Sequence, residues 1–277
     1  ATEGRAEFDA IGDFSARLSV SLACLAIGLP VEDGPLLTGW VQSFFHHDPG
    51  SGGMTREGLA ALDRLTRYCA DKIAARRRKP VDSPQALDVL ARFELGGRRF
   101  SDADAASHLA MLVIGGSETF PKVLANCLVR LAEYPDQRAW LVDDPAGIPD
   151  AFNEVLRFDM PTQTMMRTLR RDFALHGQLM KAGRPVIFLF PSGNRDPREF
   201  SEPDRFWIRR RAPRMLGFGA GTHACLGIHI ARLEGRVALE ELLAVMPRYE
   251  IEESGLERYM TEFVRGISKL PVRFEAA

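Results

Sequence analysis

One cysteine stands in a glycine-punctuated loop near the carboxyl end of the chain. Residues 218–227 read FGAGTHACLG and run directly into an apolar helical pattern. The glycines at 219, 221 and 227 permit tight backbone turns and close approach to a flat ligand. A thiolate at Cys225 would also lie near the positive N-terminal end of the following helix, which favours metal binding. These residues predict that Cys225 is a metal ligand.

This loop resembles the haem-binding segment of the cytochromes P-450, the haem-thiolate monooxygenases. The family pattern is Phe, two residues, Gly, three residues, Cys, one residue and Gly, and every fixed position is met here. A lone cysteine is most often a small hydrophobe in a core, but four fixed residue types at this spacing match by chance in about one chain in a thousand or fewer. The resemblance implies haem b, iron protoporphyrin IX, with Cys225 as the axial ligand of the iron and Phe218, Gly219 and Gly227 beside the cofactor.

The resemblance covers nearly all of residues 8–274. It implies a mainly α fold with a minor β component, formed as a single cytochrome P-450 domain over residues 1–277. It also implies that the N-terminal strands and early helices of the family fold are absent, so that the chain represents the C-terminal two-thirds. Since the first residues show neither an initiator Met nor a signal peptide, we expect a fragment with an open haem edge that holds haem weakly.

Composition favours an ordinary globular protein. Apolar residues make up 45% of the 277 residues, charged residues make up 26%, and the net charge is −1, which argues against a nucleic-acid binder. Cys24, Cys69 and Cys127 fall on helical patterns without short-spaced partners, as expected of reduced thiols. We expect no disulfide, no membrane span and a cytoplasmic location.

Apolar periodicity predicts four helices and two strands. The helices are expected over residues 8–27, 36–45, 55–78 and 101–134, and the strands over residues 185–190 and 272–274. Gly28 and Pro30 should end the first helix, Ser101 with Asp104 should begin the fourth, and Pro121 should kink it. The loop between the second and third helices is rich in glycine, so the two helices could act as a lid, whereas its adjacent His46 and His47 do not share a face and disfavour a metal site.

Glu154 and Arg157 have the Glu-x-x-Arg spacing that places both side chains on one helix face. The spacing alone is uninformative, since it recurs at Glu202 and Arg205. The resemblance implies that Glu154 and Arg157 form a buried pair, which Arg205 completes and which braces the proximal side of the haem. By the same match Arg167 and His223 bind the haem propionates, because anions need such donors.

The long helix carries Gly115-Gly116-Ser117-Glu118-Thr119 in its middle. Thr119 can bond back to the carbonyl of Gly115 and open the helix locally. The resemblance assigns Glu118 and Thr119 to proton delivery during dioxygen activation, although Pro121 is unusual so soon after the threonine. It also assigns residues to the substrate side: Met111, Ile114, Gly115, Thr162, Gln163, Met165 and Phe263.

The sequence is therefore interpreted as that of a bacterial-type haem-thiolate monooxygenase, which inserts one atom of O₂ into a small, largely apolar organic substrate. A haem sensor or carrier and a peroxide-driven peroxygenase remain as alternatives, and the Glu118-Thr119 pair disfavours both. No flavin or iron–sulfur motif is present, so we expect a ferredoxin and a ferredoxin reductase to supply electrons. Arg210, Arg211 and Arg214 are expected to dock the acidic ferredoxin.

Overall fold

The computed structural model describes residues 5–46, 53–261 and 263–275. The chain divides into two compact units, which we call the amino-terminal unit (Asp9–Pro121) and the carboxyl-terminal unit (Ala1–Phe8 with Lys122–Ala277). The formation of one domain by residues 1–277 stays a prediction. The predicted lid loop lies largely in residues 47–52, outside the described residues, and so does His47.

Nine α-helices are described. They are α1 (Ala16–Ile27), α2 (Gly34–Phe45), α3 (Arg56–Arg78), α4 (Ala86–Arg92), α5 (Asp102–Glu133), α6 (Pro135–Asp143), α7 (Ile148–Phe158), α8 (Phe190–Gly193) and α9 (Ile228–Val245). A π-helical turn, Ala10–Ser15, leads into α1. The described strands are β1 (Arg5–Asp9), β2 (Glu94–Leu95), β3 (Arg98–Arg99), β4 (Thr164–Thr168), β5 (Phe173–Leu175), β6 (Gln178–Met180), β7 (Pro185–Leu189), β8 (Tyr249–Ile251), β9 (Glu257–Met260), β10 (Arg265–Lys269) and β11 (Pro271–Glu275).

The strands form small sheets only. One sheet has three strands in the order β1-β11-β8, and the others are the pairs β10-β9, β2-β3, β4-β7 and β5-β6. The prediction of a mainly α protein with a minor β component is confirmed.

Local sequence signals explain where the main helices begin and end. Gly28 closes α1 with a φ of +92°, and its N–H donates to the carbonyl of Cys24 at 2.8 Å. Thr55 caps α3, since its hydroxyl accepts from the N–H of Gly58 at 2.9 Å. Ser101 and Asp104 satisfy each other's backbone N–H groups before α5. Pro121 lies inside α5, and the boundary between the two units follows it.

Two sequence predictions need correction. Phe8 belongs to β1 rather than to the first helix. The strand predicted at 185–190 is β7 over Pro185–Leu189, with Phe190 in α8. It is not buried, because β7 pairs only with β4 among the described strands and leaves Ile187 and Leu189 exposed.

Cys24, Cys69 and Cys127 lie on helices, as predicted, and they are buried, whereas Cys225 is exposed. Burial raises the pKa of the Cys69 thiol to about 12, which keeps it protonated and inert.

One helix has the length and composition of a membrane span, although no such stretch is expected from the sequence. Ala10–Ile27 forms a helical window of 18 residues with a mean hydropathy of 1.5 and two charged residues, Asp13 and Arg17. It is the one such helix among the described residues, and 39% of the window is buried. A core helix of a water-soluble protein meets the same criterion, so this helix is weak evidence for a membrane. A cytoplasmic location stays a prediction.

Candidate functional site

The loop at residues 218–227 is held by its own backbone. The N–H of Cys225 donates to the carbonyl of Phe218 at 2.8 Å, and the N–H of Gly219 donates to the carbonyl of Leu216 at 2.9 Å. Gly219 and Gly221 have φ values of +68° and +69°, a left-handed region that glycine enters without steric cost. Cys225 is presented by a tight turn whose glycines are required by the backbone.

The thiol of Cys225 is exposed and stands just before α9, with Gly227 as the residue that precedes the helix. A Cβ added at Gly227 would lie 4.0 Å from Cys225 Sγ, and one added at Gly221 would meet open space. The next side chain, Leu226, is 81% exposed. An open thiol beside apolar surface and small residues fits a flat, apolar cofactor.

The described residues contain no group of three or more His, Cys, Asp and Glu side chains that could hold a metal ion by themselves. A single thiolate from the protein is sufficient when the remaining ligands come with a cofactor, as in a haem. The donor set at Cys225 therefore fits haem iron.

A fully buried ion pair lies in the same unit. Arg157 Nε donates to Glu154 Oε2 and Arg157 Nη2 donates to Glu154 Oε1, each at 2.8 Å, and both side chains are 1% exposed or less. The remaining guanidinium donors reach the carbonyls of Asn194 and Pro203 at 2.9 Å and that of Arg205 at 3.3 Å. All five N–H donors of the guanidinium have partners, so the buried charge is both paired and solvated by protein.

The second arginine of this cluster is Arg210, and the prediction of Arg205 is wrong. Arg210 Nε lies 3.1 Å from Glu154 Oε1, and its side chain is 9% exposed. The side chain of Arg205 is 58% exposed and pairs with Glu202 at 3.1 Å. Arg205 contributes through its backbone carbonyl, which accepts from both Arg157 and Arg210. The backbone N–H of Trp207 also donates to Glu154 Oε1, at 3.0 Å.

A chain of hydrogen bonds links this cluster to the cysteine loop. Asn194 is fully buried, and its carbonyl accepts from Arg157 while its side-chain Oδ1 accepts from the N–H of Leu216 at 2.6 Å. Leu216 in turn accepts from Gly219, at the start of the loop that presents Cys225. Three hydrogen bonds thus connect the buried pair to Gly219, in the loop that presents Cys225, which supports the predicted bracing role.

Close helix packing supports the same loop. A Cβ added at Gly235 in α9 would come within 2.3 Å of the Phe152 ring in α7. One helical position away, Glu234 is buried, its Oε1 has no hydrogen-bond partner, and burial raises the pKa of its carboxyl to about 8. Asn194 and Glu234 were assigned no role from the sequence, and Arg210 was assigned to ferredoxin docking instead of this cluster, since no local spacing distinguishes buried polar residues from exposed ones.

The middle of α5 has the Thr119 hydrogen bond that the sequence predicts. Thr119 Oγ1 donates to the carbonyl of Gly115 at 3.1 Å, and Ser117 Oγ donates to that of Val113 at 2.7 Å. The carbonyl of Gly116 accepts from Ser19 Oγ of α1 at 2.8 Å. Three carbonyls within four residues of this helix therefore receive side-chain hydroxyls, while Glu118 beside them is buried.

Met111, Gly115 and Thr119 follow one another at intervals of four residues, on the most open face of α5. Ile114 lies at the buried edge of this face and is 4% exposed, so its predicted contact with substrate has no open surface here. Of the other predicted lining residues, Thr162 bridges to Val264, Gln163 donates its N–H to the carbonyl of Phe263 at 2.8 Å, and Met165 is exposed on β4. The four predicted lining residues Thr162, Gln163, Met165 and Phe263 form one local group in the carboxyl-terminal unit.

The two candidate propionate donors are both exposed. Arg167 lies on β4 opposite Val186, and its Nη1 donates to the carbonyl of Met166 at 2.8 Å. His223 ends a short 3₁₀ turn, Gly221–His223, two residues before Cys225. Each side chain is accessible to an anion.

Comparison with known proteins gives consistent results. A family model described as Cytochrome P450 matches residues 148–272. "Putative cytochrome P450 123" of Mycobacterium tuberculosis (strain ATCC 25618 / H37Rv) is 34% identical over 270 residues, which are 97% of this chain and 67% of that protein. "Steroid C26-monooxygenase" of Mycobacterium tuberculosis (strain CDC 1551 / Oshkosh) is 32% identical over 277 residues, which are 98% of this chain and 73% of that protein.

Among solved structures, the open cytochrome P450 Eryk from S. erythraea superposes with a TM-score of 0.89 at 30% sequence identity. The match covers 100% of this chain and 71% of that chain. The chain thus spans about two thirds of the length of the relatives it matches.

Proposed function

The chain belongs to the cytochrome P450 family, and we propose that the thiolate of Cys225 is the axial ligand of its haem iron. Its activity is that of a haem-thiolate monooxygenase, an oxidoreductase that incorporates oxygen from O₂ into an organic substrate. The observation that carries the assignment of the ligand is the exposed thiol of Cys225 on a turn with two left-handed glycines. No observation favours a sensor, a carrier or a peroxygenase.

When bound, haem supplies the activation of dioxygen, and a thiolate ligand donates electron density that favours O–O cleavage. We infer the non-covalent haem b form because the sequence has no Cys-x-x-Cys-His motif for covalent attachment. The chain's own contribution at Cys225 is to hold the thiol in one orientation through the Phe218 and Gly219 hydrogen bonds.

Arg167 and His223 are the proposed donors to the haem propionates. Both side chains are exposed, and neither is paired with a carboxylate among the described ion pairs. Arginine can bind a carboxylate through two parallel N–H groups, whereas histidine offers a single directed donor. Replacement of Arg167 should therefore weaken haem retention more than replacement of His223.

Glu118 and Thr119 are the proposed proton-handling pair. The Thr119 hydroxyl donates to the carbonyl of Gly115 at 3.1 Å, and this leaves its lone pairs free to accept from a water or a ligand. Glu118, buried on the adjacent position, is the group from which protons would be passed on.

The buried Glu154, Arg157 and Arg210 cluster is proposed to position the cysteine loop rather than to take part in chemistry. Its donors and acceptors are consumed by one another and by backbone groups. The link through Asn194 to Leu216 conveys this rigidity to the thiol.

A ferredoxin served by a ferredoxin reductase is the proposed electron donor. The predicted docking role of Arg210 is withdrawn, because its side chain is buried against Glu154. Arg211 and Arg214 remain, with side chains 84% and 77% exposed. Charge reversal at both should slow reduction by an acidic ferredoxin and flatten the salt dependence of that rate. Charge reversal at the exposed Arg236 of α9, which is not assigned to docking, should change neither.

The substrate is proposed to be small and largely apolar. The predicted lining residues in the carboxyl-terminal unit, Thr162, Gln163, Met165 and Phe263, combine two apolar and two polar side chains. One polar group, the amide of Gln163, is already bonded to the carbonyl of Met160 at 2.8 Å and leaves little polar capacity for a ligand.

Turnover under ¹⁸O₂ tests the proposed reaction. With the haem-loaded chain, ferredoxin, ferredoxin reductase and a nicotinamide donor, the product should carry one ¹⁸O atom. Product formed from hydrogen peroxide alone at an equal rate, without label from ¹⁸O₂, would instead identify a peroxygenase.

A further inference from the structure

The amino-terminal unit contains a cavity of about 460 Å³, and its lining includes none of the residues assigned to the monooxygenase reaction. It lies between the end of α1, the last turns of α3 and the segment that precedes α4. Its apolar wall includes Leu25, Leu29, Val81 and Leu87. A cavity of this volume lies within the range of ordinary small-molecule sites.

Three cations line the same cavity. Lys72, Arg76 and Lys79 lie at i, i+4 and i+7 on one face of α3 and its C-cap, and no acidic side chain lines the cavity. Two of the cations have carboxylate partners outside the lining: Lys72 lies 3.0 Å from Asp33, and Arg76 pairs with the buried Asp88. Three cations and two partner carboxylates leave one positive charge, and among the described residues no carboxylate pairs with Lys79.

A side-chain hydrogen bond and a left-handed glycine fix the walls of the cavity. Gln85 Nε2 donates to the carbonyl of Leu25 at 2.7 Å and ties the end of α1 to the segment before α4. Gly28 adopts a φ of +92°, and a Cβ there would lie 3.1 Å from the side chain of Gln85. The two walls are therefore fixed before any ligand enters, which reduces the entropy lost on binding.

The helix macrodipole accounts for some of the basic residues, since cations are favoured at the carboxyl ends of α1 and α3. It does not account for an apolar cavity beside them. A donor in direct contact with an anion interacts more strongly than a diffuse helix end, because charge-assisted hydrogen bonds are short and directed.

We propose that this cavity is a second binding site for a small monoanion with a compact apolar body, such as an aryl carboxylate. The carboxylate would be held by Lys79 with the free donors of Lys72 and Arg76, and the apolar body would lie against Leu25, Leu29 and Leu87. The site needs only the amino-terminal unit's residues, so it stands whether or not the assignments at Cys225 are correct.

Calorimetric titration of the haem-loaded 277-residue chain with 1-naphthoate at low salt tests the proposal, with neutral 1-naphthamide as the matched ligand. Naphthoate should bind once per chain and at least about tenfold more tightly than the amide, without shifting the haem absorption spectrum. Equal affinity for the two ligands, or no binding of naphthoate, would overturn the proposal.

Variants locate the site. Lys79→Glu should weaken naphthoate binding by about tenfold or more, while Arg78→Glu, which makes the same charge change one residue away outside the cavity, should change it less than about twofold. Ala75→Leu, at an exposed position in the cavity wall, should remove binding of both ligands. An equal loss of naphthoate affinity in Lys79→Glu and Arg78→Glu would identify general attraction by the basic surface. Naphthoate binding that persists in Ala75→Leu would place the ligand elsewhere. Either result contradicts the proposed site. Thermal melts followed by circular dichroism verify that each variant is folded.

Discussion

Replacement of the buried arginines by methionine should reveal which of them hold the Glu154 cluster together. Arg157→Met removes a side chain with 0% exposure and five hydrogen bonds. Glu154 would remain buried with only Arg210 and the N–H of Trp207 as donors. Loss of one partner from a buried pair costs about 3–5 kcal/mol in the free energy of unfolding.

The other two arginines rank below Arg157. Arg210→Met removes one hydrogen bond to Glu154 and those to the carbonyls of Ser201, Glu202 and Arg205, most of them near the surface. We expect a loss of about 1.5–3 kcal/mol, the range for hydrogen bonds to charged groups. Arg205→Met removes an exposed ion pair and a contact at 5.6 Å with the Trp207 ring, and it should change the free energy of unfolding by less than about 1 kcal/mol.

Urea unfolding measures the order directly. Two of the three tryptophans, Trp140 and Trp207, lie in the carboxyl-terminal unit, whereas Trp40 lies in the other unit. Tryptophan fluorescence in a Trp40→Phe background, followed together with far-ultraviolet circular dichroism, therefore reports the part of the chain that contains the cluster. A variant whose slope differs from that of the unchanged protein is compared by its midpoint only. If Arg205→Met costs as much as Arg157→Met, or if Arg210→Met costs nothing, the reasoning that buried hydrogen bonds decide the ranking is wrong.

Three further changes test other parts of the structure. Thr119→Ala should lower the fraction of electrons that appear in product, whereas Thr119→Ser, which keeps a hydroxyl, should retain it; equal coupling in both variants would remove the hydroxyl from the proton route. Burial raises the pKa of the Glu234 carboxyl in the folded state to about 8. Between about pH 4.5 and pH 8 the folded state therefore retains a proton that the unfolded state has lost. The free energy of unfolding should fall over this range as pH rises, by up to ~1.4 kcal/mol per pH unit. Glu234→Gln should lack this slope when urea midpoints are compared at pH 5 and pH 8, and an unchanged slope would contradict the burial argument. Gly235→Ala should destabilise by about 1–3 kcal/mol because its methyl group overlaps the Phe152 ring, while Gly39→Ala, with open space around it in α2, should stabilise by about 0.5–1 kcal/mol in the same unfolding assay.

Local chemistry made much of the helical framework predictable. The left-handed glycine at 28, the threonine cap at 55 and the Ser101–Asp104 pair each satisfy backbone groups within four residues, so the signal and its structural effect lie in the same short segment. The bond from Thr119 to Gly115 is of the same kind. The loop around Cys225 was recognisable because its glycines are dictated by backbone geometry.

Long-range contacts explain what the sequence could not reveal. Arg205 and Arg210 are five residues apart, and which of them reaches Glu154 depends on the path of the chain after Pro203, more than 45 residues from Glu154 in sequence. The exposure of β7 was missed for a related reason: five apolar residues in succession are typical of a buried strand, but burial depends on what covers the sheet. Asn194 likewise acquires its role only through contact with Arg157 and Leu216.

The reduced carbon-monoxide spectrum tests the central claim most directly. In the haem-loaded chain it should show the band of a thiolate-ligated haem. Cys225→Ser should lose that band, because a serine oxygen is a harder and poorer donor to haem iron, while Cys127→Ala, which alters a fully buried helical thiol, should retain it. A thiolate-type band that survives in Cys225→Ser would show that another residue holds the iron.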